Sequence, residues 1–395
     1  MGKNGVDEMS EKYIDEIEVT IDIEKNVGAR PRLEELTNLS EGTISKLFQM
    51  FYLNGPGNGT FLSLPFDQKY MEHGPLHEFV WERKDATVKE IKIIGKGCAD
   101  IRTIAELVNT GNFSAYVLPA GVATKFKRLF RPDIPLIYKI DGRITEPKSA
   151  AIQSNIGSVE EAQEIGATAI GMSLYPGAGG LDSERDRERI AWNIRDAHDA
   201  GFPAVVWAYA RGPGLDSNMQ WKDEQGTFDG MTQADSLYWV DYAVTLAEAL
   251  GADLIKTKFP AVVKPGNRRA YNAMLESLAK KNPDAIRYKY LEPRDPNTKL
   301  TEDQHVLRAQ HVIDGVPGTF VIFSGGPKRK ADPTEDLISQ TRIIMRAGAE
   351  GGIYGRNIWG LPTDRALKAM EVVIGEIKRP EFRRQLTQPR FAGYK

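Results

Sequence analysis

The chain has 395 residues, 41% hydrophobic and 27% charged, which is the composition of an ordinary globular protein with length enough for a large core. A formal charge of −2 gives no bulk attraction to nucleic acid or an anionic membrane, and no window approaches the roughly 18 unbroken apolar residues of a membrane helix. A single cysteine, Cys98, excludes an internal disulfide. With a start, MGKNGVDEMSEKYIDEIE, that is acidic where a leader would be apolar or Arg-rich, it predicts a cytoplasmic protein.

In chain order, residues 1–55 read as an acidic N-terminal extension with one helix over LSEGTISKLFQMFYL. From about residue 60, short apolar runs alternate with longer helical patterns. The runs are TFLSLPFD, SAYVLPA, IPLIYKID, ATAIGMSLY, PAVVWAYA, ADLIKTKF, TFVIFSGG and GGIYGRN. Between them lie SVEEAQEIGA, SERDRERIAWNIRDAHDAG, DSLYWVDYAVTLAEALGA and PTEDLISQTRIIMRAGA. The last three carry apolar residues at three- and four-residue spacing and end at glycine, as helices packed on a sheet do. Eight parallel strands, each followed by helix, predict an α/β fold, a (β/α)8 TIM barrel of about 250 residues. An open doubly wound sheet would need a topological switch point that the sequence does not announce. The catalytic barrel is expected over 56–375, with an insertion at about 260–318 between strands 6 and 7 and a C-terminal tail over 376–395.

The usual cofactor signatures are missing. No Cys/His cluster has zinc spacing, and His73 and His77 are separated by the Gly-Pro of HGPLH. There is no phosphate loop and no GxGxxG in a strand-turn-helix setting. No metal and no organic cofactor are expected.

In such barrels chemistry sits at the C-terminal strand ends. Side chains alternate along a strand, so Lys256 and Lys258 share a face, as do Trp207 and Tyr209 on the preceding strand. If that face is the interior, two ammonium groups, a phenol and an indole converge, joined by Asp67 at the end of the first strand. A free lysine has a pKa of about 10.4, so on the order of one in a few thousand is neutral at pH 7. Burial and a neighbouring cation favour the neutral amine, which attacks carbonyls. The same two lysines also read as a solvated rim, stems on apolar surface and heads in water. The remaining strand ends tip the balance. SGGP supplies successive backbone N–H groups at Ser324, Gly325 and Gly326, and GRN adds Gly355 and the Arg356 guanidinium, where the last two loops of such barrels often bind phosphate.

These segments, GNGTFLSLPFDQ with EHGP, VVWAYARG, GADLIKTK, SGGPK and AGAEGGIYGRNIW, resemble the archaeal-type (DhnA-type) class I fructose-1,6-bisphosphate aldolases, in their longer bacterial-like branch. The likeness runs from about residue 40 to 375. It implies a Schiff-base aldolase with Lys256 as nucleophile, Tyr209 as proton carrier and Asp67 assisting. Trp207 and Lys258 would bind substrate, and Ser324, Gly325, Gly326, Gly355 and Arg356 would hold the C1 phosphate. It further implies a phosphorylated sugar as substrate and a homo-oligomer, commonly a decamer. Relatives of the same family act as lysine-dependent transaldol-type synthases or sugar-phosphate thiolases, and a noncatalytic sugar-phosphate-binding barrel would keep the phosphate loops. The family pattern DQGxEHGP is one residue longer here, DQKYMEHGP, with Lys69 and Tyr70 in the glycine region.

Overall fold

The computed structural model describes residues 12–67, the backbone of strands 81–83 and 91–93, and residues 100–143, 153–177, 179–212, 215, 218–325 and 334–388. Eight parallel strands close into a barrel: β1 (Phe61–Pro65), β2 (Ala115–Pro119), β3 (Leu136–Lys139), β4 (Ala169–Leu174), β5 (Ala204–Ala208), β6 (Leu254–Lys258), β7 (Phe320–Ser324) and β8 (Gly351–Ile353). Each pairs with its sequence neighbours and β8 closes on β1, with Phe61 opposite Gly351. The approach there needs glycine, because a Cβ on Gly351 would lie 1.9 Å from the Phe61 carbonyl oxygen. The outer ring is α1 (Ile101–Val108), α2 (Ala120–Phe126), α3 (Val159–Glu164), α4 (Gly180–Asp199), α5 (Leu237–Ala249), α6 (Glu302–Asp314), α7 (Thr334–Arg346) and α8 (Thr363–Ile377). This is the expected (β/α)8 barrel. Both faces of the strands are covered, which is why they read as continuous apolar runs.

Alternation divides the buried residues into two cores. Leu62, Tyr116, Leu136, Ile170, Val206, Ile255 and Val321 point outward into the helix ring. Phe61, Ala115, Ile137, Ala169, Val205, Leu254 and Phe320 point into the barrel. The lower end of that interior is sealed by the N-terminal segment. The helix Glu41–Phe48 starts at Ser40, whose hydroxyl accepts the Thr43 N–H at 3.2 Å, and runs on into one π-helical turn, Gln49–Leu53. Its Leu47 and Phe51 join the interior core, the Phe51 ring lying 5.3 Å from Phe61 and 4.9 Å from Phe320. Buried Arg30 anchors the same segment to Glu350 at 3.1 Å and to the Ile313 carbonyl at 3.0 Å. The C-terminal residues close over it, Glu34 accepting the N–H groups of Thr387 and Gln388, each at 2.8 Å.

Two excursions thicken one side. An antiparallel hairpin, Met219–Asp223 with Gly226–Gly230, leaves the chain between β5 and α5. It packs on the helix Pro265–Ala279, which follows β6 and lies outside the ring. The stretch 260–318 therefore contributes this outer layer and also α6, which sits between α5 and α7. Among the described residues no helix is long and apolar enough to cross a membrane.

One pairing at the lower end carries a pH dependence. His198, in the last turn of α4, lies 2.8 Å from Asp253 Oδ2, which also accepts the Ala204 N–H at 2.7 Å. The hydrogen bond to this carboxylate raises the imidazole pKa above its ordinary 6.5. A raised folded value means the contribution to stability is fully present below the unfolded pKa and is lost as pH rises through the folded one. The difference in urea midpoint between the parent and His198→Gln should be largest below about pH 6 and shrink at higher pH. A difference that does not change with pH would show that the imidazolium is not the stabilising form.

Candidate active site

Above the apolar floor the interior face becomes polar. On β5 and β6 the inward residues continue upward from Val205 and Leu254 as Trp207, Tyr209, Lys256 and Lys258, with Trp207 and Lys256 facing each other in the strand register. Lys256 is 2% exposed, and its Nζ lies 4.9 Å from the Trp207 ring centroid and 5.8 Å from that of Tyr209. Lys258, half-buried one step higher, has its Nζ 5.9 Å from the Tyr209 ring. At this exposure the head of Lys256 is enclosed by aromatic rings and is not in bulk water. The solvated-rim reading of Lys256 is therefore set aside.

A cavity of about 710 Å³ opens directly onto this cluster. Tyr209, Lys256, Lys258, Ser324, Gly325, Gly355 and Arg356 all line it. Trp207 and Asp67 are not among the lining residues and are 1% and 5% exposed. Gly326 falls outside the described residues, as do Lys69 and Tyr70. Arg356 does not prolong β8, as GGIYGRN suggested, but opens a short helix, Arg356–Trp359. The two loops that bring Ser324 and Arg356 together are tied by Asn357, whose Nδ2 donates to the Gly325 carbonyl at 2.7 Å. Gln340 of α7 donates to the Ser324 carbonyl at 2.8 Å. A trans peptide carries its N–H opposite its C=O, so the Gly325 N–H is turned away from Gln340.

Four buried polar atoms on the interior face have no hydrogen-bond partner among the described residues: Ser63 Oγ, Asp67 Oδ1, Ser173 Oγ and Trp207 Nε1. Native interiors rarely leave such atoms unpaired.

Parity, applied to β3 and β5, also finds residues that motif reading passed over. Lys139 and Asp141, in IPLIYKID, are interior-facing, buried and ion-paired. Lys139 Nζ lies 5.3 Å from the Trp207 ring centroid, so two lysines address one indole. Asp141 is fixed from its other oxygen by the Ser173 N–H at 2.7 Å and by Arg189 of α4 at 3.0 Å. Arg211, two residues beyond Tyr209, lies over both Tyr209 (5.3 Å) and Tyr175 (5.2 Å) at the cavity mouth. Gly171 on β4 carries no motif at all, yet an added Cβ would be 2.8 Å from Trp207 Cζ3. The glycine is the space the indole occupies.

Over residues 61–360 the chain matches the family model described as DeoC/LacD family aldolase. A class 1 fructose-bisphosphate aldolase of Thermoproteus tenax is 30% identical over 261 residues, spanning 66% of this chain and 74% of that protein. A 2-amino-3,7-dideoxy-D-threo-hept-6-ulosonate synthase of Halobacterium salinarum is 27% identical over 287 residues, 72% of this chain and 83% of its own length. Among solved structures, an archaeal fructose-1,6-bisphosphate aldolase with its catalytic lysine covalently bound to the carbinolamine intermediate of the substrate shares the fold. It matches with a TM-score of 0.57 at 24% identity, over 83% of this chain and 100% of that one.

The contact between Gly171 and Trp207 can be tested by itself. Gly171→Ala should destabilise the protein by about 1–3 kcal/mol, the usual scale of overpacking a full core. In a Trp207→Ala background most of that loss should vanish, because the added methyl then has room. Equal losses in both backgrounds, measured by denaturant unfolding, would mean the two residues do not compete for this volume.

Proposed function

The chain belongs to the DeoC/LacD aldolase family, and from that premise we propose that it is a class I, imine-forming aldolase acting on fructose 1,6-bisphosphate. It would cleave this ketose reversibly to dihydroxyacetone phosphate and glyceraldehyde 3-phosphate. The observation that carries the reading is Lys256, a buried amine held against an indole at the floor of a 710 Å³ cavity. A retained structural lysine would not need an open approach for an electrophile.

In this reading Lys256 Nζ attacks the ketose C2 carbonyl and the carbinolamine loses water. The protonated imine then accepts the electron pair of the C3–C4 bond as that bond breaks, while the C4 hydroxyl passes its proton to Tyr209 Oη and becomes the aldehyde. The enamine left on Lys256 takes a proton at C3 from Tyr209, and hydrolysis of the imine frees the product and the amine. Asp67, with one oxygen unpartnered, is assigned as acceptor for a substrate hydroxyl. Trp207 lies along the carbon chain, and Lys258 supplies positive charge beside the site. Arg356, with the backbone of Ser324, Gly325, Gly326 and Gly355, is assigned to the C1 phosphate, since a guanidinium makes strong charge-assisted hydrogen bonds to phosphate oxygens.

The second reading is a lysine-dependent synthase, favoured by the relative of that name in Halobacterium salinarum. It would use the same imine but pass the carbon fragment to another acceptor.

A product assay with a panel of ketose phosphates separates these. Fructose 1,6-bisphosphate should be cleaved to two triose phosphates. Tyr209→Phe, which keeps the ring and removes the proton donor, should lower kcat by about 10²–10⁴-fold. Turnover of another ketose phosphate but not this one would favour the synthase reading, and unchanged turnover in Tyr209→Phe would make Tyr209 a packing residue.

A further inference from the structure

The cavity wall beside β6 is the segment Phe259–Val262, all four residues of which line it. It is irregular backbone, and its polar groups are taken by side chains and backbone from three other parts of the chain. Ala261 N–H donates to the Asp235 carbonyl at 2.8 Å, and the Ala261 carbonyl accepts from Arg308 Nη2 at 3.0 Å. Gln233 spans the next turn, donating to the Val262 carbonyl at 3.1 Å and accepting the Lys264 N–H at 2.9 Å. Val263 N–H donates to Glu292 Oε2 at 2.9 Å. Glu292 Oε1 in turn meets Arg308 Nη2 at 2.7 Å, both side chains fully buried.

A buried ion pair is by itself weak evidence of anything beyond packing. Here, however, each member extends past its partner to the backbone of one loop, and that loop faces the cavity. Arg308 belongs to α6, and one turn earlier the same helix brings His305 to the cavity, its ring 5.8 Å from Phe259. Gln233 comes from the opposite side, on the stretch that returns from the hairpin 219–230 into α5.

We infer that Gln233, Glu292 and Arg308 are positioning residues that preset the Phe259–Val262 wall and thereby set the affinity for the phosphorylated substrate. The inference rests on the reading of this cavity as the ketose phosphate site. A wall held in its bound conformation avoids the ordering that a loose loop would undergo on binding, so the effect falls on KM and leaves the imine chemistry alone.

The test uses Gln233→Ala, which removes two loop contacts without disturbing a buried charge, and Arg308→Lys, which keeps a cation facing Glu292 but lacks the guanidinium fork. Lys289→Ala, which loses only a pairing with Glu276, is the control. KM for fructose 1,6-bisphosphate should rise about tenfold in Gln233→Ala with kcat within about twofold, the scale of ordering one or two side chains. Amide exchange at Val263 and Lys264 should quicken about tenfold while the helix ring stays protected. Arg308→Lys should shift KM the same way, and the control should change neither quantity. Faster exchange with unchanged KM would overturn the inference. So would a fall in thermal stability with KM and local exchange unaltered, the signature of a packing role. Lack of turnover in the parent would count against the substrate reading instead, and slow, parent-like exchange in Gln233→Ala would then still refute the clamp.

Discussion

Two lysine side chains on one indole are the arrangement around which the upper half of the barrel is organised. Lys256 and Lys139 lie 4.9 and 5.3 Å from the centroid of the Trp207 ring, in an interior where an unpaired charge is strongly disfavoured. The two amines are treated differently. Lys139 is paired with Asp141, whose other oxygen is committed to Ser173 and Arg189. Lys256 instead faces aromatic rings and the open cavity. The indole has room there only because β4 presents Gly171 at that height. A single methyl on β4 would thus be felt at the amine on β6, through one rigid ring.

The lower half supplies the rigidity that this arrangement requires. Phe51 and Leu47 of the N-terminal segment fill the barrel's base, and Arg30, Glu34 and Glu350 fasten that segment to the strands and to the C-terminal residues. Water is thereby kept from the apolar floor, and above it Tyr209, Lys256 and Lys258 face the cavity. Barrels of this kind separate stability at one end from chemistry at the other, and here the boundary falls between Val205 and Trp207 on β5 and between Leu254 and Lys256 on β6.

What could be read from the sequence follows from which interactions are local. The eight strands and the common face of Trp207, Tyr209, Lys256 and Lys258 follow from a period of two and short apolar runs, which need no knowledge of distant residues. The same rule contains Lys139, Asp141 and Arg211, but parity alone does not separate an interior charge that meets a partner from one that meets solvent. Gly171 was silent because its role is an absence of side chain, visible only against Trp207. Arg189, Glu292 and Arg308 act across 48, 29 and 47 residues of chain, separations over which periodicity carries no information. The hairpin 219–230 escaped for another reason: QWKDEQGTFDG alternates weakly and is half exposed, so it resembles a polar loop. The end of β8 was overextended, since Gly355 allows the chain to turn into the short helix that carries Arg356.

The central claim is that Lys256, and neither of the two lysines beside it, forms the covalent bond to substrate. Incubation with dihydroxyacetone phosphate and sodium borohydride, followed by proteolysis and mass spectrometry, reads this directly by fixing the imine as a stable secondary amine. The account predicts a single reduced adduct on the peptide carrying Lys256, located at that residue, and none in Lys256→Met. An adduct on Lys139 or Lys258 in the parent, or turnover that survives in Lys256→Met, would contradict it.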